Sequence, residues 1–96
     1  NMNDKHVQTA TVFKSLADDT RLSIVRKLAE DKCELKSGDI ISRCAEFHKL
    51  SQPTMSHHFS KLVAAGVLIE RKVGVEKHYE LNIELLNETG ISPDKL

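Results

Sequence analysis

The segment from Leu50 to Asn82 most constrains what this chain can fold into, because a short amphipathic helix there leads directly into two β-prone runs. With about 3.6 residues per turn, the apolar positions of the first part share one face: Met55, Phe59, Leu62 and Val63. Pro53 suits a first helical turn, and Gly66 suits the end of the helix. The pattern predicts a helix over about 53–65 and a hairpin over about 67–81 that turns at Gly74-Val75.

The opposite face of this helix carries side chains that hydrogen-bond or bear positive charge. The candidates for contacts to DNA bases and phosphates are Gln52, Thr54, Ser56, His57 and Lys61. Glutamine matches the donor and acceptor pair of adenine in the major groove, and the hydroxyls can serve base or phosphate. A polar helix face is equally expected of an ordinary solvent-exposed surface with no binding role. His58 borders Met55 and Leu62 on the helical wheel, which favours a partly buried packing histidine over a base reader.

Basic residues flank the turn of the predicted hairpin. Arg71 and Lys72 stand on one arm and Lys77 on the other. Long basic side chains on a protruding hairpin can reach backbone phosphates or the adjacent minor groove. The same charges would also discourage strand pairing at an exposed sheet edge.

Two segments carry a family resemblance. The first is Ser-Gln-Pro-Thr-Met-Ser-His-His-Phe at 51–59, followed by Lys-Leu-Val-Ala-Ala-Gly-Val-Leu and a basic hairpin ending in His-Tyr-Glu-Leu-Asn. The second begins at Phe13 and contains Leu-Ala-Asp-Asp-Thr-Arg-Leu. Together, over about Val12–Asn82, they resemble the arsenic-repressor (ArsR/SmtB-type) family of winged helix-turn-helix bacterial transcription regulators. The resemblance places a histidine beside the serine of the reading helix, so His58 joins the candidate DNA contacts. Arg21, in the second segment, is interpreted as a structural link between helices.

The expected fold is a single domain over 2–96, mainly α with a small β-hairpin: a winged helix-turn-helix. Helices are predicted over 4–16, from a cap at Asp18 or Asp19, over 37–47 and over 53–65, with a polar connection at Asp31–Lys36. The two-stranded wing at 67–81 and a short C-terminal helix at 82–90 follow. The resemblance implies that the helices at 4–16 and 82–90 pair two subunits. Two copies are also what such a motif needs to read two half-sites about one DNA turn apart.

The charge balance and the motifs limit the classes of function that this chain can have. The chain has 14 basic and 14 acidic residues, and this neutral balance argues mildly against nucleic-acid binding. The stretch from His48 to Lys61, however, holds two lysines, three histidines and no acid. Phosphate-loop, G-x-S-x-G and H-E-x-x-H motifs are absent, so no enzyme is expected. We expect a sequence-specific DNA-binding transcription regulator, a homodimeric repressor at a double-stranded operator. The alternative is a winged-helix module for protein–protein contact.

No cofactor, metal or membrane contact is expected. No apolar run approaches the roughly 18–20 residues of a membrane span, and no secretory leader is seen, so the expected location is cytoplasmic. Cys33 and Cys44 are expected to be free thiols in a reducing compartment. The resemblance would place paired metal-binding cysteines where Lys36 and Gly38 stand, and histidines in residues 82–96, which contain none. Cys44 and His48, spaced i, i+4, are two ligands without a third. The sequence leaves the effector unknown.

Overall fold

The computed structural model describes the backbone of residues 2–96 and the side chains from residue 4 onward. Helices come first, a hairpin follows, and a short helix comes after it. The bounds are α1 Met2–Leu16, α2 Asp19–Asp31, β1 Leu35–Lys36, α3 Ser37–Ser42, α4 Gln52–Ala64, β2 Leu68–Val73, β3 Glu76–Leu81 and α5 Ile83–Glu88, with 3-10 turns at Ala45–Lys49 and Pro93–Lys95. The predicted fold class, mainly helical with a wing, is confirmed. None of the described helices is long and apolar enough to cross a membrane.

The core lies where the apolar faces of the helices meet the inner face of the sheet. Aliphatic side chains make up most of it, and the largest ones that are fully buried are Phe47, Ile24, Leu28, Ile40, Leu62, Leu86, Val12, Val25 and Val67. An aromatic pair joins α4 to the sheet: Phe59 stacks on Tyr79 of β3 with ring centroids 4.5 Å apart and ring planes within 6°. This stacking orients α4 relative to the wing.

Both ends of α4 are specified by local chemistry. Before the helix, the Ser51 hydroxyl accepts a hydrogen bond from the Thr54 N–H at 3.2 Å, which satisfies one of the free amides of the first turn. After the helix, Gly66 adopts a left-handed backbone with φ of +83°. A Cβ at this position would also lie 2.7 Å from Cδ2 of Leu85. The left-handed backbone favours glycine here, and a larger residue would also have to displace the Leu85 side chain of α5.

The predicted two-stranded wing is present as β2 and β3, and a short strand within the predicted polar connection at 31–36 extends it to a sheet of three strands. Leu35 and Lys36 form β1, which pairs antiparallel with β3 opposite Tyr79 and His78, giving the order β1-β3-β2. Leu35 is buried at 8% exposure. Two residues are too few for the alternation of a strand to appear in a sequence, so only the partner strand reveals β1.

The third predicted helix is divided. The expectation was one helix over 37–47, but α3 stops at Ser42 and Cys44 is extended, with φ −138° and ψ 119°. A 3-10 turn then carries Phe47 into the core at 2% exposure. Periodicity correctly indicated that Phe47 is buried, but it could not show that the segment around Phe47 is a 3-10 helix, which has fewer residues per turn than an α-helix.

The two candidate dimer helices differ in what they leave exposed. In α1, Val12 and Leu16 are buried, whereas Val7 is 62% and Phe13 is 51% exposed. The short α5 buries Leu85 and Leu86 in the core of its own subunit and leaves Ile83 at 48% exposure. The exposed apolar surface of these helices therefore lies mainly on α1.

Candidate nucleic-acid interface

The outer face of α4 is polar and exposed along its length. Met55, Phe59 and Leu62 bury the inner face. All five polar residues that the sequence analysis assigned to the outer face are exposed: Gln52, Thr54, Ser56, His57 and Lys61. The helix itself contains no Asp or Glu. The face therefore presents hydrogen-bonding groups and positive charge with no carboxylate of its own among them.

Thr54 has a second role in this face. Its hydroxyl oxygen accepts a hydrogen bond from the Ser51 hydroxyl at 2.8 Å, while its N–H donates to the same Ser51 oxygen. One acceptor site of Thr54 is therefore used in capping the helix. Its own hydroxyl hydrogen remains able to donate to a phosphate or a base.

His58 lies apart from the outer face. Its side chain is only 13% exposed, and Nδ1 lies 3.2 Å from Nη1 of Arg21 and 3.7 Å from Oδ2 of Asp18. Burial lowers the pKa of the imidazole, with the Arg21 and His57 charges acting in the same direction and Asp18 opposing them. The residue is thus a contact between α4 and the start of α2, as its wheel position indicated.

Arg21 is the structural link that the sequence analysis expected. Its Nε donates to the carbonyl oxygen of Ser15 near the end of α1, and its backbone N–H donates to the Asp18 carboxylate that caps α2. With the contact to His58, one side chain connects α1, α2 and α4.

Strand alternation separates the three basic residues of the wing. Lys72 of β2 lies directly opposite Lys77 of β3, and Glu70 lies opposite Tyr79. Since directly paired residues project to the same side, both lysines share the face of Tyr79, which contacts α4. Arg71 projects to the other face. The sequence analysis had grouped all three, and only Lys72 and Lys77 lie on the side of α4.

Arg71 is occupied by an acidic partner that the sequence analysis did not single out. Its guanidinium donates to both carboxylate oxygens of Glu34, one of them from Nε at 3.1 Å, and His78 Nδ1 lies 3.1 Å from the same carboxylate. The hydrogen bond from Arg71 is the main reason that the pKa of Glu34 is lowered, and it raises the pKa of Arg71. No local sequence signal identifies Glu34, because β1 brings it to the wing.

One cleft joins α4 to the wing. It has a volume of about 520 Å³ and lies between α3, α4 and the hairpin. Gln52 and Ser56 line it from α4, Glu76 and Lys77 line it from the wing, and Asp39 lines it from α3, so the cleft holds carboxylates as well as a lysine. The polar start of α4 and one wing lysine therefore face a common space.

No metal centre is found in the described part of the chain, where no three His, Cys, Asp or Glu side chains come together as ligands. Cys33 is exposed, Cys44 is half-buried, and both are free thiols. Cys44 and His48 do not share a helix as their spacing had indicated, because α3 ends before Cys44.

Comparison with known proteins gives a consistent result. The family model described as bacterial regulatory protein, arsR family, matches residues 18–70. The arsenical resistance operon repressor of Staphylococcus xylosus is 37% identical over 81 residues, which cover 83% of this chain and 71% of that protein. The transcriptional repressor SdpR of Bacillus subtilis is 33% identical over 78 residues, covering 81% and 80%. Among solved structures, an ArsR-like transcriptional regulator from Rhodococcus sp. RHA1 superposes with a TM-score of 0.73 at 27% identity, covering 88% and 74% of the two chains.

Proposed function

This chain belongs to the arsR family of bacterial regulatory proteins and is a DNA-binding transcription regulator, not an enzyme, and from that premise we propose that it acts as a dimeric repressor that reads an operator through the major groove. Its partner is double-stranded DNA, and its place of action is the cytoplasm, where that DNA is found. The alternative, a winged-helix module that only contacts other proteins, is not favoured, since similar proteins include transcriptional repressors.

The observation that carries the proposal is the cleft shared by α4 and the wing. Gln52 and Ser56 face it from the first turns of α4, and Lys77 faces it from β3. A helix in the major groove contacts base edges chiefly with its N-terminal residues, and a wing beside it can neutralise the flanking backbone. We assign base reading to Gln52 and Ser56 and phosphate contact to Thr54, His57 and Lys61. His58 is left out because its ring faces Arg21.

The wing lysines support a phosphate-binding role. Lys72 and Lys77 are directly opposite each other, an arrangement that repels and costs stability. Lys77 is partly compensated by Glu70, with Nζ 3.7 Å from Oε1. Within the described residues, no carboxylate forms an ion pair with Lys72. A repulsive pair beside the reading helix is explained if DNA phosphate supplies the missing negative charge.

The dimer is proposed to form through α1. Val7 and Phe13 on α1 are more than half exposed, and Ala10 lies between them on the same side and is partly exposed. An exposed apolar stripe of this kind indicates a protein interface. A second copy satisfies it and also supplies the second reading helix that a two-half-site operator requires.

The effector is proposed to differ from that of the arsenical relatives. Lys36 and Gly38 stand where the resemblance would place paired cysteine ligands, and neither side chain can bind arsenite or zinc. The residues present do not fit such a site. We infer that this regulator responds to another signal.

The test is recovery of genomic fragments bound by the purified protein, followed by footprinting of the fragment that binds most tightly. The proposal expects one sequence class, protected over two half-sites about one helical turn apart, and a dimer in sedimentation. Fragments of unrelated sequence, captured with equal affinity, would contradict operator reading.

A further inference from the structure

The junction between α4 and α2 contains a titratable group that the proposed DNA contacts leave unused. His58 projects from the inner side of α4 and is 13% exposed. Its Nδ1 lies 3.2 Å from Nη1 of Arg21 and 3.7 Å from Oδ2 of Asp18. Among the described residues, the charged or titratable groups that act on this ring are Asp18 before α2, Arg21 in α2 and His57 in α4.

The contact between Arg21 and His58 is a hydrogen bond in only one protonation state of the ring. Arg21 can only donate hydrogen bonds, since a guanidinium has no acceptor. The Nδ1 of His58 must therefore accept, which requires a neutral imidazole with its proton on Nε2. Protonation of Nδ1 would remove the acceptor and place two positive groups 3.2 Å apart, with the Asp18 carboxylate as the nearest alternative partner.

Arg21 transmits any change at this ring beyond α4. Its Nε donates to the carbonyl oxygen of Ser15, and its backbone N–H donates to the capping carboxylate of Asp18. Beside the core packing of Met55, Phe59 and Leu62, one guanidinium thus links α4 to α1 and α2. A shift of α4 by a fraction of an ångström is enough to misplace side chains that must meet base edges.

We propose that Arg21 and His58 are positioning residues for operator reading, and that α4 is held in its DNA-reading orientation only while His58 is neutral. This inference builds on the proposed function, because it takes α4 as the operator-reading helix. Protonation converts the Arg21–His58 contact from attraction to repulsion and weakens operator binding. Acidification is therefore the signal to which this junction responds.

The burial of the ring supports this direction. Burial is the largest cause that lowers the pKa of His58, so the neutral form predominates in the folded protein near neutral pH. The contact is intact there and is lost as the pH falls through the pKa of the folded state.

The experiment compares operator affinity of the wild type with that of His58→Asn between about pH 7.5 and about pH 5.5. Asparagine places an oxygen acceptor where Nδ1 stands and does not titrate. Both proteins retain every other titratable group, so the contributions of those groups cancel in the ratio of their affinities. We expect a ratio near one at the higher pH and a wild type weaker by about fivefold or more at the lower pH, the lower end of common coupling between sites. A ratio that is constant with pH would overturn the inference.

Two further measurements separate the possible failures. The ¹⁵N shifts of the wild-type His58 ring should report an unprotonated Nδ1 and a protonated Nε2 at about pH 7.5, and the opposite tautomer would overturn the inference even if His58→Asn did not fold. His48→Asn removes an exposed histidine of the 3-10 turn outside the proposed contacts, is the matched control, and should keep the acid-induced weakening. Wild-type protein that bound no genomic fragment at about pH 7.5 would contradict the proposed function. Operator binding with an affinity ratio that does not change with pH would contradict only this inference.

Discussion

Arg71 in the wing donates hydrogen bonds to both carboxylate oxygens of Glu34, so the charge of the hairpin's arginine is already compensated within the protein. Its neighbour Lys72 projects to the opposite face of the sheet and shares that face with Lys77. Two adjacent basic residues of one strand therefore have different roles. Arg71 ties the wing to the segment before β1, and Lys72 remains available to an external anion.

The first prediction contrasts these two neighbours. Lys72→Ala should lower affinity for all DNA sequences and reduce the salt slope of binding by about one counterion, because it removes one phosphate contact. Arg71→Ala should change that slope much less. The measurement is a salt titration of affinity for the operator and for random duplex. Equal slope changes in both variants would mean that Arg71 leaves Glu34 when DNA binds.

The difference between these neighbours also shows where sequence reasoning ends. Helical periodicity was sufficient to place α4 and to assign its inner face to Met55, Phe59 and Leu62, because both features repeat within a few turns. The orientation of Arg71 depends on register with β3, and its partner Glu34 arrives through β1. These are contacts between segments distant in sequence, which no local pattern encodes.

The same limit applied to backbone details. The cap of α4 at Ser51 and the glycine at position 66 follow from local rules, and the wing turn at Gly74 was located correctly. The break in the helix after Ser42 was not predicted, because a 3-10 turn and an α-helix can both bury Phe47. Candidate DNA contacts were identified by residue type. His58 shows that residue type alone does not tell which way a side chain points.

The second prediction concerns base reading. Gln52→Ala should cost about 1–3 kcal/mol on the operator and little on random duplex, because an amide that pairs with a base edge discriminates between sequences. Lys61→Ala is the comparison on the same exposed face and should weaken both duplexes about equally. Binding by fluorescence anisotropy on the two duplexes distinguishes the pair. Losses of the same size on both duplexes would make Gln52 a backbone contact.

The third prediction concerns the dimer. Phe13→Glu should convert the protein to monomers and abolish tight operator binding, since it places a charge within the exposed apolar stripe of α1. The fold should persist, because Phe13 is 51% exposed and lies outside the core. Gln8→Glu adds the same charge to the same helix away from the stripe and should leave the dimer intact. Sedimentation of both variants decides the matter, and a dimeric Phe13→Glu protein would place the interface elsewhere.

The fourth prediction is that metal does not control this regulator. Zinc, cadmium or arsenite added to the protein–operator complex should leave the affinity unchanged within error, because Lys36 and Gly38 replace the paired thiolates that such a site needs. A chelator should likewise have no effect. Release of DNA by stoichiometric metal, if abolished in Cys44→Ser, would reveal a site of different composition.

The last prediction concerns acid stability at the cap of α2. Asp18 accepts the Arg21 N–H at 3.0 Å, and this hydrogen bond is the main cause that lowers the pKa of its carboxyl. The unfolded chain, with the ordinary value near 3.8, therefore takes up the proton first as the pH falls. The stabilisation is fully present above that value and is lost as the pH falls through the pKa of the folded state.

Asp18→Ala should lose about 0.5–2 kcal/mol of unfolding free energy at neutral pH, whereas Asp18→Asn retains a capping oxygen and should lose less. Urea unfolding at about pH 7 and about pH 3 should show the advantage of wild type over Asp18→Asn shrinking with acid. An advantage that stayed constant over this range would mean that the ionised carboxylate adds nothing beyond the capping hydrogen bond.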